Sequence, residues 1–301
     1  VRETIRNYSQ AYPAILAESW QINRIFPSDS MFSREIRFFC TAWMFFTRIP
    51  LPDGLVRWVG YSPALLNGAA RYFPLVGLLV GAAGAAVFGI AIWLFTPIVA
   101  VALSMAATVL LTGAFHEDGF ADVCDGFGGS HEPARVMEIM KDSRVGAFGA
   151  IGIALMLLVK FSALFSLAEG TQAELLVWLL VAGHALSRVA PVTLIFALPY
   201  VRPDPDAKSK PMAASVTWTE LAMALFWGML PLAGLVYFYE NAWLFLLGAL
   251  PVGAVAWLMG LWFRRRIGGY TGDCLGAMQQ VAEVAFYLYC VALLAGPPAG
   301  A

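Results

Sequence analysis

Long apolar stretches separated by short polar connections dominate this chain, and none of them alternates apolar and polar residues with a period of two. A mostly apolar run of about 19 residues or more is long enough to cross the hydrocarbon core of a bilayer as a helix. Seven stretches meet that length, at residues 73–95, 97–115, 147–168, 175–199, 221–239, 242–263 and 274–296. Lipid offers no hydrogen-bond partner to an open strand edge, and the missing alternation excludes an outer-membrane barrel, so all seven are predicted to be helices. An eighth apolar stretch, 36–51, has sixteen residues, carries Arg37 and Arg48 near its ends and stops at Pro50. It is short for a crossing and is predicted to be a re-entrant or interfacial helix. The expected fold is all-α: a polytopic membrane protein with one integral membrane domain over 35–301 and a polar, partly amphipathic arm over 1–34. A charged segment leading into an uninterrupted apolar core is missing, so no signal peptide is expected. The chain begins with Val1, and the arm can include residues upstream of the true start.

Composition agrees with that reading. Apolar residues make up 60% of the chain and charged residues 13%, against roughly 25% charged in an ordinary soluble domain. A formal net charge of −1 supplies no basic excess for nucleic acid. The four cysteines, Cys40, Cys124, Cys274 and Cys290, form no CxxC pair, which argues against a zinc ribbon or a disulfide scaffold. The placement of Lys and Arg says more. Eight precede the first predicted span, three lie in each of the connections 116–146 and 200–218, and three form the run Arg264, Arg265, Arg266, while the intervening connections and the C-terminal tail carry none. The positive-inside rule then puts every charged connection and the N-terminus in the cytoplasm and the C-terminus outside. Two basic residues fall within spans, Lys160 and Arg188, with His184 one turn before the arginine. Charges at that depth usually face the bundle interior. Interhelical hydrogen bonding is the plain reading, and Arg188 is also placed to reach an anionic substrate.

Acidic residues are concentrated in one connection: seven of the chain's 20 lie within 116–146. There Asp118, Asp122 and Asp125 are spaced i, i+4, i+7, which on a helix puts them in one narrow sector. Carboxylates so placed repel one another unless a cation sits between them, and with only oxygen ligands the cation expected is hard, Mg²⁺ before Mn²⁺ or Ca²⁺. A solvated acidic loop is the bland alternative; against it, the stretch is rich in glycine and starts directly where an apolar run ends. A second cluster, Lys141, Asp142, Ser143, Arg144 and Gly146, combines cations, a hydroxyl and a small residue as a phosphate-binding corner requires. Positive flanking of a span is its alternative. A third, at 264–276, joins the arginine run to Gly268, Gly269, Gly272, Asp273 and Gly276. Flanking does not account for four glycines and an aspartate entering a membrane helix, so a ligand-facing loop is expected there. Oxygen ligands, phosphate-binding cations and a membrane scaffold together suggest phosphoryl or nucleotidyl-alcohol transfer at the cytoplasmic surface.

The blocks F-F-T-R-I-P-L-P (45–52), R-Y-F-P-L-V-G-L-L-V-G (71–81), G-A-F-H-E-D-G-F-A-D-V-C-D-G (113–126), M-K-D-S-R-V-G-A-F-G (140–149) and G-G-Y-T-G-D-C-L-G-A (268–277) resemble, in order, those of the cobalamin synthase family, the adenosylcobinamide-GDP ribazoletransferases. The resemblance runs from about residue 36 to 290. It implies an enzyme of the bacterial inner membrane, multi-pass and active at the cytoplasmic face. It also implies the reaction: α-ribazole, or its 5′-phosphate, attacks the cobinamide-linked phosphorus of adenosylcobinamide-GDP, GMP leaves, and adenosylcobalamin or its phosphate forms with Mg²⁺. On this footing Asp118, Asp122 and Asp125 are candidate metal ligands, and His116 and Asp142 candidate catalytic groups. His116 lies about 160° from the aspartate face on an ideal helix and joins it only if the helix breaks near Gly119. Arg48, Lys141, Ser143, Arg144, Gly269 and Asp273 are candidate substrate contacts. The aspartate motif also resembles that of the CDP-alcohol phosphotransferases, although A-D stands here where their D-G-x-x-A-R signature has A-R. A cation transporter routed through Lys160, His184, Arg188 and Glu283 is the alternative from another class. The oligomeric state is left open, a homo-oligomer included.

Overall fold

The computed structural model describes residues 30–201, 213–239 and 242–295. Most of the predicted arm, Arg202, Lys208 and Lys210, and the tail from 296 lie outside the described residues. Within them the protein is helical, with one isolated parallel bridge, Tyr200 to Tyr270. In chain order the helices are α1 (Met31–Phe46), α2 (Asp53–Val59), α3 (Pro63–Ala69), α4 (Phe73–Leu94), α5 (Pro97–Thr112), α6 (Phe115–Gly129), α7 (Pro133–Lys141), α8 (Ala147–Gly170), α9 (Ala173–Ser187), α10 (Val189–Ala197), α11 (Trp218–Phe238), α12 (Ala249–Ile267) and α13 (Gly272–Ala295). Six stretches are long and apolar enough to cross a membrane: Pro63–Leu94, Ala147–Gly170, Ala173–Ala197, Trp218–Phe238, Ala242–Ile267 and Gly272–Ala295. As expected, α1 is not among them.

The second predicted span needs correction. Over 97–115 the helix stops at Thr112, and the chain turns by 87° into α6. Gly113 (φ 67°) and Ala114 (φ 57°) are both left-handed, a pair that ends a right-handed helix. Their amides bond back to the carbonyls of Leu110 and Val109, closing the end of α5. Seven spans are reached only if α5 and α6 together count as one. The bend lays α6, with the predicted acidic sector, against α8 and the start of α13.

At the centre stands the α9–α10 stretch, 78% buried over its most apolar window against 22–50% for the other candidate spans. It packs most extensively against α4, where an added Cβ on Gly81 would lie 2.9 Å from Val181 Cα and from His184 Cβ. Small residues let helices approach backbone to backbone where lipid supplies no hydrophobic drive. The stretch is interrupted once, at Arg188, between α9 and α10. Near the entry to α4, Arg71 pairs with Glu35 of α1 at 2.8 Å and with Glu220 of α11 at 2.9 Å. Glu220 also closes a capping box with Thr217 at the start of α11.

Candidate active site

Because α6 is unbroken from Phe115 to Gly129, it sorts its polar residues by face. Asp118 is exposed and Asp122 half-buried, whereas His116, Glu117 and Asp125 are buried. Against this helix lies the first turn of α13, brought close by two glycines. A Cβ on Gly119 would sit 3.0 Å from the Asp273 backbone, and one on Gly276 3.1 Å from the His116 carbonyl. The approach gathers Asp273 with Asp118 and Asp122, near enough for their charges to act on one another. Asp273, which the sequence groups with the substrate contacts, is thus a member of the acidic cluster.

Asp125 has a different position. Its carboxylate accepts from the backbone amides of Gly146 and Gly149, both at 2.7 Å, at the N-terminus of α8. A helix N-terminus presents unpaired amides and partial positive charge, so a buried carboxylate there acts as a cap supplied from outside the helix. The bond also ties the 142–146 loop to α6. Among the described residues no three His, Cys, Asp or Glu side chains are arranged to hold a metal by themselves. Asp118, Asp122 and Asp273 nonetheless offer the oxygen donors a hard cation takes, and Mg²⁺ commonly uses one or two carboxylates and completes its shell with substrate phosphate and water.

The loop of the second cluster is exposed throughout, including Lys141, Ser143 and Arg144. Arg144 forks onto Asp142, Nε to Oδ1 at 3.0 Å and Nη2 to Oδ2 at 2.6 Å. That contact holds the Asp142 carboxyl down to about 2, which makes it a weak base in this arrangement. Arg48 is also exposed; its backbone amide bonds the Leu111 carbonyl at 2.7 Å, and its side chain lies over Gly113 at the bend. Gly269 is buried against the Pro199 carbonyl, where the Tyr270 amide bonds the same oxygen at 3.1 Å. Its small size serves this crossing of two backbones.

His116 faces away from the acidic cluster, as it must on an unbroken α6. Its ring stacks on Phe46, centroids 5.5 Å apart and planes 7° apart. Beyond it lies a buried polar network. Lys160 Nζ meets Glu283 Oε1 at 2.6 Å. Gln279 bonds Glu283 and Ser187, and Gln280 bonds Gln279 and Glu117 at 3.0 Å. This network pins α6 to α13 and α8. The sequence shows Gln279, Gln280 and Glu283 as a polar face continuing into the last span, but not that they close on Ser187 and Glu117. Arg266, read from sequence as a flanking charge, donates to the Phe127 carbonyl at 3.0 Å and covers the Phe127 ring, closing the far end of α6.

The family profile described as cobalamin-5-phosphate synthase matches residues 38–291. The chain is 47% identical over 275 residues to an adenosylcobinamide-GDP ribazoletransferase of Polaromonas sp. (strain JS666 / ATCC BAA-500), covering 85% of this chain and 96% of the relative. It is 48% identical over 257 residues to the protein of that name from Leptothrix cholodnii, covering 84% and 94%. To that from Shewanella amazonensis it is 47% identical over 267 residues, covering 88% and 98%. No solved structure matches the chain.

Proposed function

Because the chain belongs to the cobalamin-5-phosphate synthase family, we propose that it joins α-ribazole, or its 5′-phosphate, to adenosylcobinamide-GDP with release of GMP. A ribose hydroxyl attacks the phosphorus that carries cobinamide, its proton passes to a base, and the bond from that phosphorus to the GMP oxygen breaks. Adenosylcobalamin or its phosphate is the product. The observation that carries this reading is the meeting of Asp118 and Asp122 on α6 with Asp273 on α13, an acidic cluster on two facing helices. Carboxylates of this cluster, together with substrate phosphate oxygens, would hold Mg²⁺, which when bound supplies neutralisation of charge on the diphosphate. Asp125 keeps the loop carrying Arg144 beside α6. Arg144 can exchange its fork on Asp142 for one on phosphate oxygens, the two being geometrically alike.

We place the protein in the bacterial inner membrane with this cluster at the cytoplasmic face. Two findings support that side. The loop Lys and Arg lie before residue 73, in the connections 116–146 and 200–218 and in the run 264–266, while the connections that alternate with these carry none. The 142–146 loop, the end of α12 and the start of α13 each touch α6, so these connections share one end of the bundle. The transporter and CDP-alcohol readings find no support in the relatives.

The test is direct. Purified protein receives adenosylcobinamide-GDP with α-ribazole or its 5′-phosphate, with and without Mg²⁺, and GMP and corrinoid products are followed by chromatography. Mg²⁺-dependent GMP release matched by a complete corrinoid is expected; no product with either acceptor would reject the assignment.

A further inference from the structure

On the inner side of α6 a small chamber opens, lined by Phe46, Phe73, Phe115, His116, Pro191 and Leu275, with Arg188 in its wall. Arg188 is only 2% exposed, and among the described residues no carboxylate comes within 4.0 Å of it. Nη1 donates to the His184 carbonyl at 2.7 Å, while Nε has no partner. A buried guanidinium is costly unless its donors meet acceptors, and planar N–H forks match phosphate oxygens. Gly77 of α4 packs where a Cβ would meet the His184 carbonyl oxygen and lie 2.6 Å from Arg188 Cδ, so the same glycine admits the backbone of α9 and the arginine stem. The chamber and the acidic cluster are built on the same two helices. His116 sits two residues before Asp118 on α6, and Leu275 two after Asp273 on α13.

We infer that Arg188, opening into this chamber, is a phosphate-binding subsite of the enzyme, acting from the opposite side of α6 to the acidic cluster. The inference rests on the transferase reading above for the identity of the phosphate. Two sources share that chemistry: the diphosphate of the activated corrinoid and the 5′-phosphate of the acceptor. Aromatic and aliphatic walls keep water from the guanidinium, which strengthens its hold on an anion. The bond to His184 orients the group and leaves its other donors for ligand.

The test uses purified wild type, Arg188→Lys, Arg188→Gln and Gly77→Ala, the last crowding both the arginine and the His184 backbone beside it without removing the arginine. Two readouts are taken: kcat/KM with each acceptor, and the rise in Tm produced by inorganic pyrophosphate or by α-ribazole 5′-phosphate. A merely structural arginine would change the Tm of the free protein but not the increment a ligand adds. We expect the wild type to be stabilised by at least one probe, the Arg188 variants to lose that increment, and kcat/KM to fall about ten- to a hundredfold, as loss of a charged hydrogen bond implies. An equal fall with both acceptors assigns the subsite to the donor diphosphate; a fall confined to the phosphorylated acceptor assigns it to the 5′-phosphate. Unchanged kcat/KM and unchanged increments in the Arg188 variants overturn the inference. If those variants do not fold, an unchanged kcat/KM in Gly77→Ala, or a wild type stabilised by neither probe, overturns it. A wild type that forms no product rejects the transferase reading instead, and the melting increments then decide the subsite alone.

Discussion

Substituting Asp125 by asparagine separates two roles for the same carboxylate, because they predict opposite signs. As one of several like charges around a cation, Asp125 would be a burden on the metal-free fold, and Asn would leave stability unchanged or raise it. As the cap of α8 it accepts from Gly146 and Gly149, both at 2.7 Å, while only 8% exposed. Asparagine keeps one acceptor oxygen but turns an NH₂ group toward the second amide. One charge-assisted bond is then lost and one N–H at the start of α8 is left facing a donor, together about 2–4 kcal/mol. At roughly 2 °C per kcal/mol for a chain of this size, Tm should fall by about 4–8 °C without Mg²⁺. Three of the four cysteines, Cys40, Cys274 and Cys290, are buried and free, so a thiol-reactive fluorogenic dye reports unfolding of the detergent-solubilised protein. Relaxation by Asp125→Glu is not expected to rescue: a Cβ at Gly149 would already crowd the existing carboxylate, leaving no room for another methylene. A metal-free Tm for Asp125→Asn equal to or above wild type would refute the capping argument.

Asp118→Asn and Asp122→Asn should leave the metal-free Tm equal or higher, since each relieves repulsion, while lowering kcat at saturating Mg²⁺ by at least about a hundredfold; full activity in either variant removes that residue from the site. Lys160→Met leaves the Glu283 charge buried without the partner now 2.6 Å away and should cost about 3–5 kcal/mol, most of it recovered when Glu283→Gln is added; equal melting of single and double variants would contradict this. In a cysteine-free background, an impermeant thiol reagent should modify Ser143→Cys from the cytoplasmic side and Thr171→Cys from the outside. The reverse pattern would invert the proposed orientation.

Charges show where sequence reading reached and where it stopped. Counting Lys and Arg indicates which connections share a side, a property of one-dimensional order. It cannot show that Arg71 bridges Glu35 and Glu220, or that Arg266 closes the end of α6, because those partners are distant in sequence. Likewise the i, i+4, i+7 pattern places three aspartates in one sector of α6, but only neighbouring helices distinguish them. Asp125 meets the amides starting α8, while Asp118 and Asp122 meet Asp273 across Gly119. The unbroken α6 likewise sends His116 to Phe46 and the Arg188 chamber.

By itself the sequence determined the all-α membrane class, the position of most spans and the stretch where acidic residues concentrate, since apolar length and helical periodicity are local and lipid permits few alternatives. Tertiary structure alone decided that the predicted span 97–115 ends at Thr112 and that α6 turns by 87° to meet α13. It also decided that a carboxylate grouped by periodicity caps a helix and that a buried arginine faces a chamber. Each depends on a contact between segments far apart in the chain, and hydropathy sums over neighbours in sequence carry no record of neighbours in space.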